Sequence, residues 1–213
     1  MKKVLLFLLL SFTSTFVLAD TKWELKKDKD GIKVYTGSVA NSNIKAVKVS
    51  CIMNTTLEQL VAILLDTKAH EKWVYNTEVS YLIKTITTSH QLYYSEINMP
   101  WPLANRDVIM DIQFSQDKAT KVMYVSGNAV EGYVPVNKNK VRVRSSKISW
   151  TITPINKTQI DIAYTAQADP GGAIPAWIAN MFMTKGPFET FKKLKEMVAL
   201  NTYPQTHYDF IVD

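Results

Sequence analysis

The stretch Asn98-Met-Pro-Trp-Pro-Leu-Ala-Asn-Arg-Asp107 decides the reading of this chain. Pro100 and Pro102 each lack a ladder donor and hold φ fixed, so the residues around Trp101 cannot run inside a sheet. The flanks nevertheless read as strands: Gln91-Leu-Tyr-Tyr-Ser-Glu-Ile97 before and Val108-Ile-Met-Asp-Ile-Gln-Phe114 after. A loop tipped by a large aromatic therefore joins two strands and ends in the charged pair Arg106-Asp107. Further on, Asp169-Pro-Gly-Gly-Ala-Ile-Pro-Ala-Trp-Ile-Ala-Asn180 opens a long helical segment.

Upstream of the loop, Ile32–Val39 and Ile44–Met53 read as strands joined by the turn-rich Ala40-Asn-Ser-Asn43. Val47, Val49, Cys51 and Met53 share one face of the second strand. Thr55 or Thr56 then caps a helix with Glu58 in its first turn and Leu57, Leu60, Val61, Leu64 and Leu65 as its apolar stripe. A short helical or irregular stretch carries Trp73. Strands are expected at Val79–Ile86, Gln91–Asn98, Asp107–Phe114, Lys121–Asn128, Val141–Pro154 (long and bent) and Gln159–Ala166. Short links such as Thr87-Thr-Ser89 and Asn156-Lys-Thr158 favour an antiparallel meander. In the last helix, Trp177, Met181, Phe188, Phe191, Leu194 and Val198 recur at helical spacings. Gly186-Pro187 falls inside that stripe, and an internal proline costs about 3 kcal/mol, so a kink or break is expected there.

Lys2 and Lys3, the apolar run from Val4 to Leu10 and the small-residue site Val17-Leu-Ala19 have the form of a signal peptide, residues 1–19. The apolar run is interrupted by Ser11, Thr13, Ser14 and Thr15, short of the roughly 20 residues a membrane span needs. Export is therefore expected, to a periplasm or outside the cell. Residues 20–200 suit one domain, and 201–213 a C-terminal tail. Cys51 is the only cysteine, so stability rests on packing, not on a disulfide. The 25 basic and 19 acidic residues leave +6, which drops by two when Lys2 and Lys3 are removed. That mild excess suits an anionic lipid surface. The lysines are scattered without interleaved aromatics, which counts against nucleic acid.

No nucleophile elbow, dinucleotide-binding glycine motif, P-loop or Cys-x-x-Cys is present. His70, His90 and His207 are widely spread. Asp66 and His70, four apart, are too few ligands for a stable metal site. Cys51, on an apolar strand face with no basic neighbour in sequence, reads as a buried hydrophobe. The arginines raise a question of register. Arg142 and Arg144 share parity with Ile148, Trp150 and Ile152 in an unbroken strand. Either a bulge near Ser145-Ser146 shifts the register, or two guanidiniums point to the apolar side. In the second case Arg142 becomes a head-group ligand, with Glu96 as an inward partner.

The Pro-Leu-x-x-Arg-Asp strand entry, followed by Asp-Pro-Gly-Gly, Ile-Pro-x-Trp and Asn, resembles the START (steroidogenic acute regulatory protein-related lipid transfer) family. The match runs over Lys22–Leu200 and rests on the order and spacing of short motifs. The resemblance implies an α+β helix-grip fold, in which a curved antiparallel sheet wraps a long C-terminal helix and leaves an apolar cavity. It also implies a non-enzymatic carrier that binds one lipid without cofactor and contacts membranes transiently. The terminal helix and the Trp101 loop would move to admit the ligand. Candidate ligand-lining residues are Glu96, Arg106, Arg142, Trp150, Tyr164, Trp177 and Met181. Trp101 and Leu103 are candidate membrane contacts, with core packing as the other reading of Trp101 and of Trp177. Sterol-handling members carry a buried arginine six residues after Arg106; Ile112 stands there, which counts against a sterol. A monomer is expected. Two other functions fit the same fold: a cyclase or hydrolase using Glu96 with Tyr94 or Arg142, and a non-lipid interaction module.

Overall fold

The computed structural model describes residues 22–38, 45–172, 174–201, 203 and 207–212. The leader at 1–19 and the turn at 40–43 lie outside the described residues. Strand β1 (Trp23–Lys29) turns into β2 (Ile32–Ser38) through Asp30 and Gly31, whose φ values of 55° and 68° suit a tight hairpin. After β3 (Lys45–Met53), the Thr56 hydroxyl accepts from Gln59 N–H at 3.2 Å and caps α1 (Leu57–Leu65). Of the expected stripe, Leu57, Leu60, Val61 and Leu64 are buried and Leu65 is half-buried. A single 3₁₀ turn, Thr67–Ala69, then leads to the short α2 (His70–Trp73).

Six strands were expected downstream of α2, and seven form. They are β4 (Thr77–Thr87), β5 (His90–Ile97), β6 (Asn105–Gln116), β7 (Met123–Ala129), β8 (Lys140–Arg142), β9 (Ser145–Asn156) and β10 (Gln159–Asp169). The ten described strands make one sheet in the order β1-β2-β3-β10-β9-β7-β6-β5-β4. All pairs along that path are antiparallel, whereas β8 lies parallel to the start of β6, where β7 has already ended. The single strand expected over Val141–Pro154 is thus two strands broken at Val143-Arg144. Val143 joins the core, as do Trp150 and Ile152 at the opposite parity, so the break shifts the register.

Strand alternation sends one face of the sheet to the terminal helix. On it lie Val49, Tyr164, Trp150, Val125 and Phe114, each directly across from the next. The helix comes in three pieces: α3 (Ala176–Asn180), a π-helical turn over Met181–Lys185, and α4 (Gly186–Ala199). Pro187 lacks the N–H that an unbroken helix would bond, and it stands in the first turn of α4, where that donor is not needed. The wider turn ahead of it absorbs the lost bond, so the break expected at Gly186-Pro187 falls just before it.

Phe188, Phe191, Leu194 and Val198 of α4 are buried against the inner face, with the Phe191 ring 5.2 Å from Trp150. Each such side chain contributes about 1.5–3 kcal/mol. The tail folds back beneath the sheet. Tyr203 O–H donates to Asp66 Oδ2 at 2.9 Å, and the Gln116 amide holds both backbone groups of Val212. Ile211 is only 5% exposed.

Candidate functional site

The inner face of the sheet is fully covered at one end and only partly covered at the other. Opposite α4, Ile152, Ile160, Ile162 and Met123 are fully buried. One or two register steps along the same face, toward α3, Ile148, Tyr164, Ala166 and Ala129 are only half-buried. The overlying segment matches this: none of Met181–Lys185 is buried, and of the α3 side chains described only Ile178 is. Gly127, also on this face, lies where a Cβ would meet Ile148 Cγ1 at 2.7 Å, so Ile148 and Met110 pack across its bare backbone. Two surface grooves of about 440 and 560 Å³ lie elsewhere. The first is at Asn54, Gln59 and Gln159, the second at Trp23 and Lys45.

Aromatic rings build the wall. Trp150 and Tyr164 pair across β9 and β10 with ring centroids 4.7 Å apart, and both meet Phe191. Both of these candidate residues lie on the interior face. Burial raises the Tyr164 and Tyr93 phenols well above their usual range. His70 sits edge-on to Trp73 and Tyr93 at 5.2 and 5.0 Å, and its Nε2–H donates to Leu64 O at 3.1 Å. Burial pulls its imidazole down to about 4, so it is neutral near pH 7. Asp66 is occupied as a cap for Ala69 N–H and as the acceptor from Tyr203, so it does not share a metal with His70. Cys51 is buried on the inner face, and burial pushes its thiol up to about 12, which leaves it inert.

At the less covered end, Trp101 stands 89% exposed in a loop closed by a Leu103 N–H to Pro100 O bond, with Leu103 half-buried. That rules out the core reading of Trp101. Trp177 is 61% exposed, so it neither packs in the core nor lines the interior wall; the stripe that buries Phe188 to Val198 does not extend back to it. Met181 is half-buried in the π-helical turn. Arg106 is buried at this end and donates to the carbonyls of Ala104, Pro170 and Gly171 at 2.6, 3.3 and 3.2 Å. It ties the Trp101 loop to the Asp-Pro-Gly-Gly turn. Burial lowers its pKa.

Two candidate residues fall on the other side of the sheet. Ser95 and Val108 are paired on the core face, so Glu96 and Asp107, paired next to them, point outward. Glu96 is bound there by Lys140 and by Asn105 Nδ2 at 3.0 Å. Arg142, across from Asp107, donates to both of its carboxylate oxygens at 2.9 Å and to the carbonyls of Val134 and Pro135. The Asp107 hydrogen bond and charge hold the Arg142 pKa up. Neither Glu96 nor Arg142 reaches the interior: the break at Val143-Arg144 turns Arg142 away from the face of Trp150 and Ile152, and Glu96 stands at the outward parity of β5. Arg144 is exposed, 3.7 Å from Glu131. Sequence reasoning missed the inward polar groups Ser95 and Tyr93, because nearly every β5 residue is buried and alternation carries no sign of which face is inner, and Ser80, because register shifts interrupt the alternation of β4.

The START domain family matches over residues 11–203. An uncharacterized protein of Pseudomonas aeruginosa is 30% identical over 174 residues, covering 81% of this chain and 85% of its own. The phosphatidylcholine transfer protein of Bos taurus is 26% identical over 196 residues, 89% of each chain. A crystal structure of a STAR-related lipid transfer protein from Xanthomonas axonopodis has a TM-score of 0.76 at 32% identity, covering 83% of this chain and 98% of that one. The helix-grip architecture, the match across most of the sequence and these relatives agree: the chain belongs to the START domain family, whose members bind lipids and other hydrophobic ligands.

Proposed function

We propose that this protein is an exported carrier that holds one lipid-like molecule without covalent chemistry and exchanges it at membrane surfaces. The observation that carries this reading is the half-buried apolar wall of Ile148, Tyr164, Ala166 and Ala129 beneath a helical segment that buries little of itself. An acyl chain lying on that wall gains about 25 cal/mol per Å² of apolar surface removed from water. Displacing Met181–Lys185 exposes no fully buried side chain, whereas α4 stays anchored by Phe188, Phe191 and Leu194.

The exposed indoles of Trp101 and Trp177 suit the interfacial zone of a bilayer, where an amphipathic ring is favoured. Lys2-Lys3 and the apolar run to Ala19 support export. The printed names of relatives, a phosphatidylcholine transfer protein among them, support a lipid ligand. The acid–base groups that a catalytic reading would use are engaged on the outer face, Glu96 by Lys140 and Tyr94 by Asp107.

The test is titration with a fluorescent fatty-acyl analogue. Saturation at one site per chain is expected, together with loss of binding in a folded Ala166→Phe variant, which fills the wall. No binding across a broad lipid panel by folded protein would favour the interaction-module reading.

A further inference from the structure

Where α2 meets β4, three buried polar atoms have no hydrogen-bond partner: Trp73 Nε1, Thr77 Oγ1 and Ser80 Oγ. Their residues are 3%, 8% and 0% exposed. Backbone ties hold them in one corner: Thr77 N–H donates to Val74 O at 3.2 Å, and Ser80 N–H to Glu71 Oε1 at 2.8 Å. An unpaired buried donor or hydroxyl destabilises a fold, and native interiors hold few of them. Here three occur within one short segment of chain.

The surroundings give the corner a chemical character. Ser80 lies directly across from Ser95, itself paired with the core residue Val108, so both hydroxyls belong to the inner face. One register step on, Tyr93 continues that face and touches His70, which touches Trp73. Tyr93 and His70 are both neutral near pH 7. The cations of the neighbouring strands, Lys140 and Arg142, are paired on the opposite face with Glu96 and Asp107. Lys68 is turned to solvent and bound to Glu71, and Lys72 is exposed.

A phosphate entering this corner would meet the Glu71 carboxylate, while the buried guanidinium of the same face, Arg106, lies beyond Ile97 and is already bound by the carbonyls of Ala104, Pro170 and Gly171. An uncompensated buried charge is strongly disfavoured. An uncharged oxygen meets the opposite situation. The indole N–H donates to it, and the hydroxyls of Thr77, Ser80 and Ser95 donate or accept.

We infer that the corner formed by Trp73, Thr77 and Ser80 is the recognition subsite for the uncharged polar end of the ligand, a free lipid hydroxyl. This rests on the carrier reading above and deepens it: the preferred cargo is a neutral lipid such as a diacylglycerol, not a phospholipid. Because the three atoms are sealed from solvent, the ligand reaches them from the interior by displacing neighbouring side chains. The hydrogen bonds gained offset that displacement.

The experiment compares fluorescent diacylglycerol and phosphatidylcholine probes of equal acyl length on wild type and on Ser80→Ala, Thr77→Val and Trp73→Phe. Wild type is expected to bind the diacylglycerol at least about tenfold more tightly. Each variant is expected to weaken that binding by about three- to tenfold, the loss of one neutral hydrogen bond. Thermal stability should hold or rise, since an unpaired buried group has been removed, and phosphatidylcholine binding should stay unchanged. Ser80→Ala removes one atom and keeps the test decisive if Trp73→Phe does not fold. Equal diacylglycerol affinities in wild type and variants, or tighter binding of phosphatidylcholine by wild type, would overturn the subsite and leave the carrier intact. Failure of wild type to bind either probe would overturn both.

Discussion

Arg142 grips Asp107 through Nε and Nη2, each 2.9 Å from a separate carboxylate oxygen, on the side of the sheet turned away from the aromatic interior. Tyr94 O–H donates to the same carboxylate at 3.2 Å, and its ring stacks on Tyr81 at 4.9 Å. The fork therefore staples β8 onto β6 where no other strand would cover that edge. Breaking a buried, hydrogen-bonded ion pair from one side costs about 3–5 kcal/mol, because the partner charge is left behind. Arg142→Ala should lower the urea midpoint accordingly while leaving the lipid affinity of the folded fraction unchanged. A selective loss of anionic-lipid binding at unchanged stability would instead place Arg142 at the ligand.

His70 makes the protein sensitive to acid. The unfolded chain takes up the imidazole proton below its ordinary value of 6.5, and the folded chain only below about 4. Between those values the unfolded state binds more protons. The contribution is therefore complete above pH 6.5 and is lost as pH falls toward 4, about 3 kcal/mol in all. Urea denaturation between pH 4 and 7 should show this slope, and His70→Gln should flatten it.

Trp101→Ala removes an indole that the fold does not bury. Its effect on stability should fall within about 0.5 kcal/mol, as for other exposed positions. Transfer of a fluorescent lipid between vesicles should slow several-fold with equilibrium affinity unchanged, and a double change with Trp177→Ala should slow it further. A large drop in melting temperature would return Trp101 to the core.

The tail is a structural part of the domain by the same logic of burial. Ile211→Ala empties a buried core site next to Phe210, whose ring meets Phe114, and should cost about 2–5 kcal/mol, measured by thermal or urea unfolding. A stop after Leu200 should destabilise more, since it also removes the Tyr203 bond to Asp66 and the Gln116 clamp on Val212.

The architecture was legible wherever one face of an element is buried and the other is wet. α1 has its expected stripe, and β3 and β10 their alternating faces. β1 was not legible: Trp23–Lys29 is a charged edge strand held by backbone pairing, which leaves almost no side-chain pattern. The outward placement of Glu96 and Arg142 was hidden for a different reason. Both faces of β5 are covered, one by the core and the other by the Lys140, Asp107 and Tyr81 neighbours, so parity gives two faces without saying which is inner. The Trp73, Thr77 and Ser80 corner depends on α2 touching β4, a tertiary contact that periodicity does not encode. Trp177 continued the helical spacing of Phe188 to Val198, but the π-helical turn between them rotates the earlier piece out of that stripe.

Gly127 gives the interior one of its dimensions by omission. Ile148 Cγ1 and Met110 Cε rest within 2.7 and 3.2 Å of the place its missing methyl would occupy. Any side chain there would force Ile148 and Met110 to move. A residue with no side chain thus fixes, to within a single carbon atom, how closely the two neighbouring strands' side chains can pack on the inner face.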